Sequence, residues 1–168
     1  AMAKEWPIRS TGDLLAHAIA IEREAVARYS ELGERMDDLG KDVVAELFLR
    51  LAHLEKDHEE ELERRAAGLA LPEIAPGNYA WFDSGSPESA AHDLVLNLLT
   101  PYSALQIALE AEERAAGFFE SARKQASDPG LAEMAAEMAA EEDVHIAWVK
   151  SAIRRTPNPV VDWSSVFS

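Results

Sequence analysis

Residues 47–62 read LFLRLAHLEKDHEEEL, and residues 138–153 read MAAEEDVHIAWVKSAI. Each stretch holds a Glu-x-x-His pair, Glu55/His58 and Glu142/His145, inside apolar residues that recur at helical spacing. Glutamate and histidine three positions apart share one helix face, so a single helix can offer an imidazole to one metal ion while its carboxylate bridges to a second. One such pair among five histidines means little in a chain this rich in glutamate, where it is usually a solvated ion pair. Two pairs at corresponding places in two helical hairpins are harder to reach by chance.

Working outward, the periodicity predicts helices over 11–39, 42–67, 101–127 and 129–155. The first starts near Ser10 or Thr11 with Asp13 in its first turn, and Gly40 follows it. Asp42 is the expected cap of the second, Pro101 takes the first position of the third after Thr100, and Ser127 or Asp128 precedes the fourth. The inward stripes are Leu15, Ile19, Glu22, Val26, Tyr29 and Met36; Val44, Leu47, Phe48, Leu51, Glu55, His58 and Leu62; Leu105, Leu109, Glu112, Ala116, Phe119 and Ala126; and Leu131, Met138, Glu142, His145, Val149 and Ile153. Residues 68–100 are broken by Pro72, Pro76, Gly77, Gly85 and Pro87, leaving room for a short extra helix over 86–99. The tail, 156–168, should be extended. The expected fold is all-α: a single domain over 1–168, two antiparallel helical hairpins joined by a long crossover into a four-helix bundle.

Distance from the turns brings six side chains together. Glu22 lies about 16 residues before the end of its helix, while Glu55 and His58 lie about 13 and 16 after the start of the next, which in an antiparallel hairpin is the same height. In the second hairpin Glu112 lies about 15 before the turn, and Glu142 and His145 about 13 and 16 after it. The halves are offset by about 90 residues, as an internal duplication would leave them. Glu55 and Glu142 are the expected bridging carboxylates, and Glu22 and Glu112 the terminal ones. Of Glu110, Glu112 and Glu113, only Glu112 shares the apolar stripe. Tyr29, two turns beyond Glu22, is a candidate hydrogen-bond donor toward the site. His17, His53 and His92 lack such partners and read as surface or packing residues, Trp148 reads as packing, and Glu59 to Glu61, Glu63, Glu133, Glu137 and Glu141 read as solvated faces. Carboxylate and imidazole ligands suit iron and also manganese.

Composition removes other classes. A net charge of −15, with no basic stripe, repels nucleic acid. No apolar run reaches the roughly 18 to 20 residues that cross a bilayer, and residues 1–9 lack the apolar segment of an export signal, so neither a membrane nor export is expected. With no cysteine there is no disulfide, thiol catalysis or thiolate ligation, which agrees with a cytoplasmic location. A homo-oligomer, with a dimer favoured, is expected.

The segments Glu22-Arg-Glu-Ala-Val-Ala-Arg-Tyr29, Glu55-Lys-Asp-His58, Glu112-Glu-Arg-Ala-Ala-Gly-Phe-Phe119 and Glu142-Asp-Val-His145 resemble the ferritin-like superfamily and, within it, the diiron domain of rubrerythrins. The likeness covers most of residues 11–155. It implies a ferritin-like bundle with a left-handed crossover, two iron ions, and reduction of peroxide or oxidation of ferrous iron by dioxygen or peroxide. Rubrerythrins proper carry a cysteine-ligated rubredoxin domain, whereas these residues contain no cysteine, so a separate electron-donor protein or ferrous iron itself is implied. Ala115 stands where rubrerythrins place an extra glutamate, and Phe119 where a tyrosine is common, so the site is closer to that of a bacterioferritin or a minimal erythrin. The leading expectation is a diiron peroxidase or ferroxidase acting on a small oxidant. The alternatives are an iron storage or handling protein, and an interaction bundle with a vestigial site.

Overall fold

Ser10 starts the first helix by exchanging hydrogen bonds with Asp13. Its Oγ accepts from the Asp13 amide at 3.1 Å, and the Asp13 carboxylate accepts from the amides of Ser10 and Arg9 at 3.1 and 2.9 Å. This capping box satisfies amides that the helix cannot, and sets a negative charge against the helix dipole. In the computed structural model, which describes residues 6–74 and 95–159, α1 spans Thr11–Asp38. Gly40 closes it at φ 71°, where the Gly40 amide donates to Asp37 and the Lys41 amide to Met36.

Because Lys41 both ends that closure and precedes α2 (Asp42–Ala66), no residue is left to place a side-chain cap. Asp42 is therefore the first helical residue of α2 and not its cap, contrary to the sequence expectation. The third helix, α3 (Pro101–Lys124), opens with a capping box between Thr100 and Ser103 and with proline at its first position, where the missing amide is harmless. It stops three residues before 127, because Asp128 must be extended to cap α4 (Pro129–Arg154) through the Leu131 amide, at 2.9 Å. Of the crossover helix expected over 86–99, residues 95–98 are helical. Its remainder, together with His92 and the tail beyond residue 159, lies outside the described residues.

The chain packs most closely within each hairpin, α1 on α2 and α3 on α4, and α1 makes the main contacts between hairpins. At Gly33 the α1 backbone comes so near α2 that a β-carbon would meet the Leu49 side chain at 2.7 Å. Two apolar clusters fill the bundle. One gathers Tyr29, Leu32, Met36, Phe48, Leu51, Leu105 and Val149; the other gathers Leu14, Leu15, Ile19, Leu62, Phe119, Leu131 and Met138. Along every helix the change from one cluster to the other falls at an acid: Glu22 on α1, Glu55 on α2, Glu112 on α3 and Glu142 on α4. The result is a polar layer between two dry ones, in an all-α ferritin-like bundle. Among the described residues, no helix is long and apolar enough to cross a membrane.

Phe48 is fully buried and lies with its ring centroid 6.0 Å from that of Tyr29. Phe48→Ala should lower the unfolding free energy by about 3–5 kcal/mol. Urea denaturation measures it, and a loss below about 1 kcal/mol would mean that the ring does not hold α2 against α1.

Candidate metal centre

The polar layer brings the predicted side chains together from all four helices. Glu22, Glu55, Glu112, Glu142 and His145 are each at most 3% exposed, whereas the His58 side chain is 27% exposed. Ligating atoms of Glu55, Glu112, Glu142 and His145 lie within 4.8 Å of one another, as do those of Glu55, His58 and His145. Glu22 belongs to neither group and approaches through His58, whose Nδ1 is 4.0 Å from Glu22 Oε2. Glu110 and Glu113 point to solvent.

Glu55 lies between the two imidazoles. Its Oε1 is 2.6 Å from His145 Nδ1 and its Oε2 is 4.0 Å from His58 Nδ1, with the two rings near parallel and 5.8 Å apart. Neither oxygen is aligned for a hydrogen bond. Glu22 Oε2, Glu112 Oε2, His58 Nδ1 and His145 Nδ1 are likewise buried with no hydrogen-bond partner. Buried carboxylate oxygens left this way are costly unless a cation or a proton compensates them. Orphaned oxygens and imidazole nitrogens that face one another are the donor set of a site for first-row divalent cations, so the residues present fit a metal pair.

Glu112 is held differently from its counterpart. Tyr29 Oη donates to Glu112 Oε1, and the Arg28 guanidinium lies 3.6 Å from that same oxygen and 4.7 Å over the Tyr29 ring. Sequence reading missed Arg28. It is 6% exposed and occupies the buried series Leu14, Ala18, Ile21, Ala25, Arg28, Leu32, so a charge within an otherwise apolar stripe was the available signal. About 90 residues on, the corresponding positions are Phe118 and Phe119, which cannot donate a hydrogen bond. Glu22 therefore receives no such support.

Two acids read as solvated do otherwise. Glu59 is buried, 3.1 Å from Arg23 and 3.6 Å from Lys56. Glu141 is half-exposed but places Oε2 3.6 Å from His58 Nδ1. Two other histidines stay apart from the layer: His17 packs on Phe118, and His53 is exposed, 3.9 Å from Asp57. The Trp148 ring lies 5.7 Å from that of His145 and is 40% exposed.

With no cation, protons must balance this layer. Burial raises the Glu55 carboxyl, the neighbouring Glu112 adds to the rise, and His145 opposes it. Burial, then Glu112, raises Glu142 well above the ordinary carboxylate range. Burial lowers His145, but pairing with Glu55 outweighs that and leaves it raised. Tyr29 is pushed well above 10, first by burial and then by Glu112, and so keeps the proton it donates. A group raised on folding lends stability below its unfolded pKa and loses it as pH climbs through its folded value. Glu55, Glu142 and His145 all act in that direction. The metal-free protein should therefore melt lower at about pH 8 than at about pH 5, while bound metal replaces the protons, so that the gap between loaded and metal-free melting temperatures widens with pH. Calorimetry across that range checks it; a metal-free protein that grows more stable as pH rises would contradict a buried acidic layer.

Comparisons with known proteins agree with the fold. The family model for rubrerythrin matches residues 13–80, which carry Glu22, Tyr29, Glu55 and His58. No curated protein matches the chain. Among solved structures, an uncharacterized conserved protein from Magnetospirillum magnetotacticum MS-1 is 32% identical with a TM-score of 0.80, over 90% of this chain and 99% of that one. With the bundle, the first-hairpin match and this likeness over nearly the whole length of a solved relative, the chain is a rubrerythrin-like protein of the ferritin-like fold.

Proposed function

We propose that the protein is a non-haem diiron oxidoreductase that reduces peroxide or dioxygen, or oxidises ferrous iron, with Glu22, Glu55, His58, Glu112, Glu142 and His145 as the metal ligands. One observation carries this reading: the two oxygens of fully buried Glu55 face two different imidazoles and have no hydrogen-bond partner of their own. A carboxylate so placed can bridge two ions, and six protein ligands leave coordination positions open for an oxidant. His145 and Glu112 would hold an inner ion and His58 and Glu22 an outer one, with Glu142 beside Glu55 as a carboxylate available to both. Manganese can occupy the same ligand set.

A pair of iron ions supplies one electron each, matching the two electrons and two protons that convert hydrogen peroxide into two waters. The chain does the rest. The apolar clusters on either side keep water from the layer, and the four carboxylates offset the charge of two divalent cations. Tyr29 retains its proton and fixes Glu112, while Arg28 backs both. These 168 residues contain no cysteine, so the electrons for turnover come from outside them, from a separate donor protein or from ferrous iron.

Elemental analysis after anaerobic iron loading, followed by rapid mixing with peroxide, tests the proposal. About two irons per chain, retained through many turnovers, is the expected result. Accumulation of many irons per chain would mean storage, and none after reconstitution would mean a vestigial site. Glu55→Ala and Glu142→Ala should abolish binding of both ions, whereas Glu110→Ala, on the exposed face of α3, should leave both bound. Loss of metal from the Glu110 variant would overturn the choice of Glu112. Tyr29→Phe should weaken the inner ion by roughly 10- to 100-fold, read by competition with a chelator; unchanged affinity would leave the tyrosine a packing residue.

A further inference from the structure

His58 is the least buried of the six proposed ligands, and it opens onto a notch between α2 and α4. The notch is about 30 Å³ and is lined by His58, Glu61, Leu62, Arg65, Glu137, Met138 and Glu141. That volume is roughly one or two water molecules, so a cation sheds most of its hydration shell as it enters. Arg65 reaches across it from α2, pairing with Glu137 at 2.8 Å and approaching Glu61 at 3.7 Å. These contacts leave the Glu141 carboxylate directed at His58. Its Oε2 is 3.6 Å from His58 Nδ1, nearer than Glu22 Oε2 or Glu55 Oε2, both at 4.0 Å. The last two oxygens are orphaned on side chains at most 4% exposed, so a half-exposed acid and two buried, unpartnered ones converge from α4, α1 and α2 on a single nitrogen.

Resting on the diiron reading, we infer that Glu141 is the transfer carboxylate of the outer metal position, taking a divalent cation from solvent at the notch and passing it to His58 and Glu22. Ligands of one first-row ion with bonds near 2.1 Å sit about 3 Å apart, so small side-chain movements bring Glu141 and His58 onto the same cation. At 43% side-chain exposure Glu141 can reach a hydrated ion, which the buried acids cannot. Three acids against one arginine also leave the notch negative, which concentrates cations at its mouth. Once the ion rests on His58, Glu22 and Glu55, Glu141 is free to return to solvent. No bond other than metal coordination forms or breaks.

Anaerobic stopped-flow mixing with Co²⁺, read by its ligand-field absorption, tests this without turnover, and equilibrium dialysis gives the stoichiometry. Glu141→Gln should fill its second Co²⁺ roughly tenfold more slowly than the natural chain, yet still reach two per chain. Glu133→Gln removes the same charge from an exposed site on α4 and should fill at the natural rate. Filling of the Glu141 variant at the natural rate would overturn the inference, as would equal slowing of the Glu133 variant. A Glu141 variant that saturates at one Co²⁺ would also overturn it, by making Glu141 a standing ligand. If the natural chain takes up no Co²⁺ at all, it is the metal centre that fails, which is a separate result.

Discussion

Four carboxylates brought together in a dry interior repel one another, and much of this bundle is arranged around that repulsion. At an effective dielectric near 20, two like charges 4 Å apart cost about 4 kcal/mol, so the layer cannot remain fully ionised by itself. Protons or cations must enter it. Raised Glu55, Glu142 and His145 show the protonic solution; the unpartnered oxygens and nitrogens show where a cation would be accepted. The apolar clusters above and below matter as much as the ligands, because they keep water from screening the charges cheaply.

The two halves of the layer are unequal. Duplicated hairpins would offer two equivalent terminal glutamates, but Glu112 has Tyr29 and Arg28 where Glu22 faces an imidazole at 4.0 Å. Glu112 is held by a tyrosine and carries a permanent positive neighbour, while Glu22 adjoins the surface through the partly exposed His58. That contrast rests on residues 28 and 29 of α1 against 118 and 119 of α3.

What the sequence revealed depended on periodicity and on distances from turns. Ser10, Thr100 and Asp128 announce their helices because a short polar side chain before a periodic run has a local function. The convergence of Glu55, Glu112, Glu142 and His145 follows from near-equal counts to the two tight turns, which a rigid helical rise turns into equal heights. Long flexible side chains were illegible. Glu141 lies off the inward stripe by wheel position yet reaches His58 on another helix, whereas Glu59, four residues after Glu55, lies on the buried face of α2 and pairs with Arg23 of α1 despite its place in an acidic run. Arg28 was hidden by the opposite assumption, that a charged residue within a helix faces water. The Lys41 boundary escaped because two helices share one residue there.

The packing also bears on how the molecule is assembled in time. Most contacts lie inside a hairpin, between helices joined by a tight turn, while the ligand layer draws on both hairpins. Local contacts form first because little chain entropy is lost in closing them. Each hairpin therefore brings half of the acids into register before the halves meet, and docking adds the repulsion between Glu55 and Glu112 to that already present between Glu112 and Glu142 within the second hairpin. The layer is a late product of folding rather than its nucleus, and the step it most affects is the joining of the two hairpins.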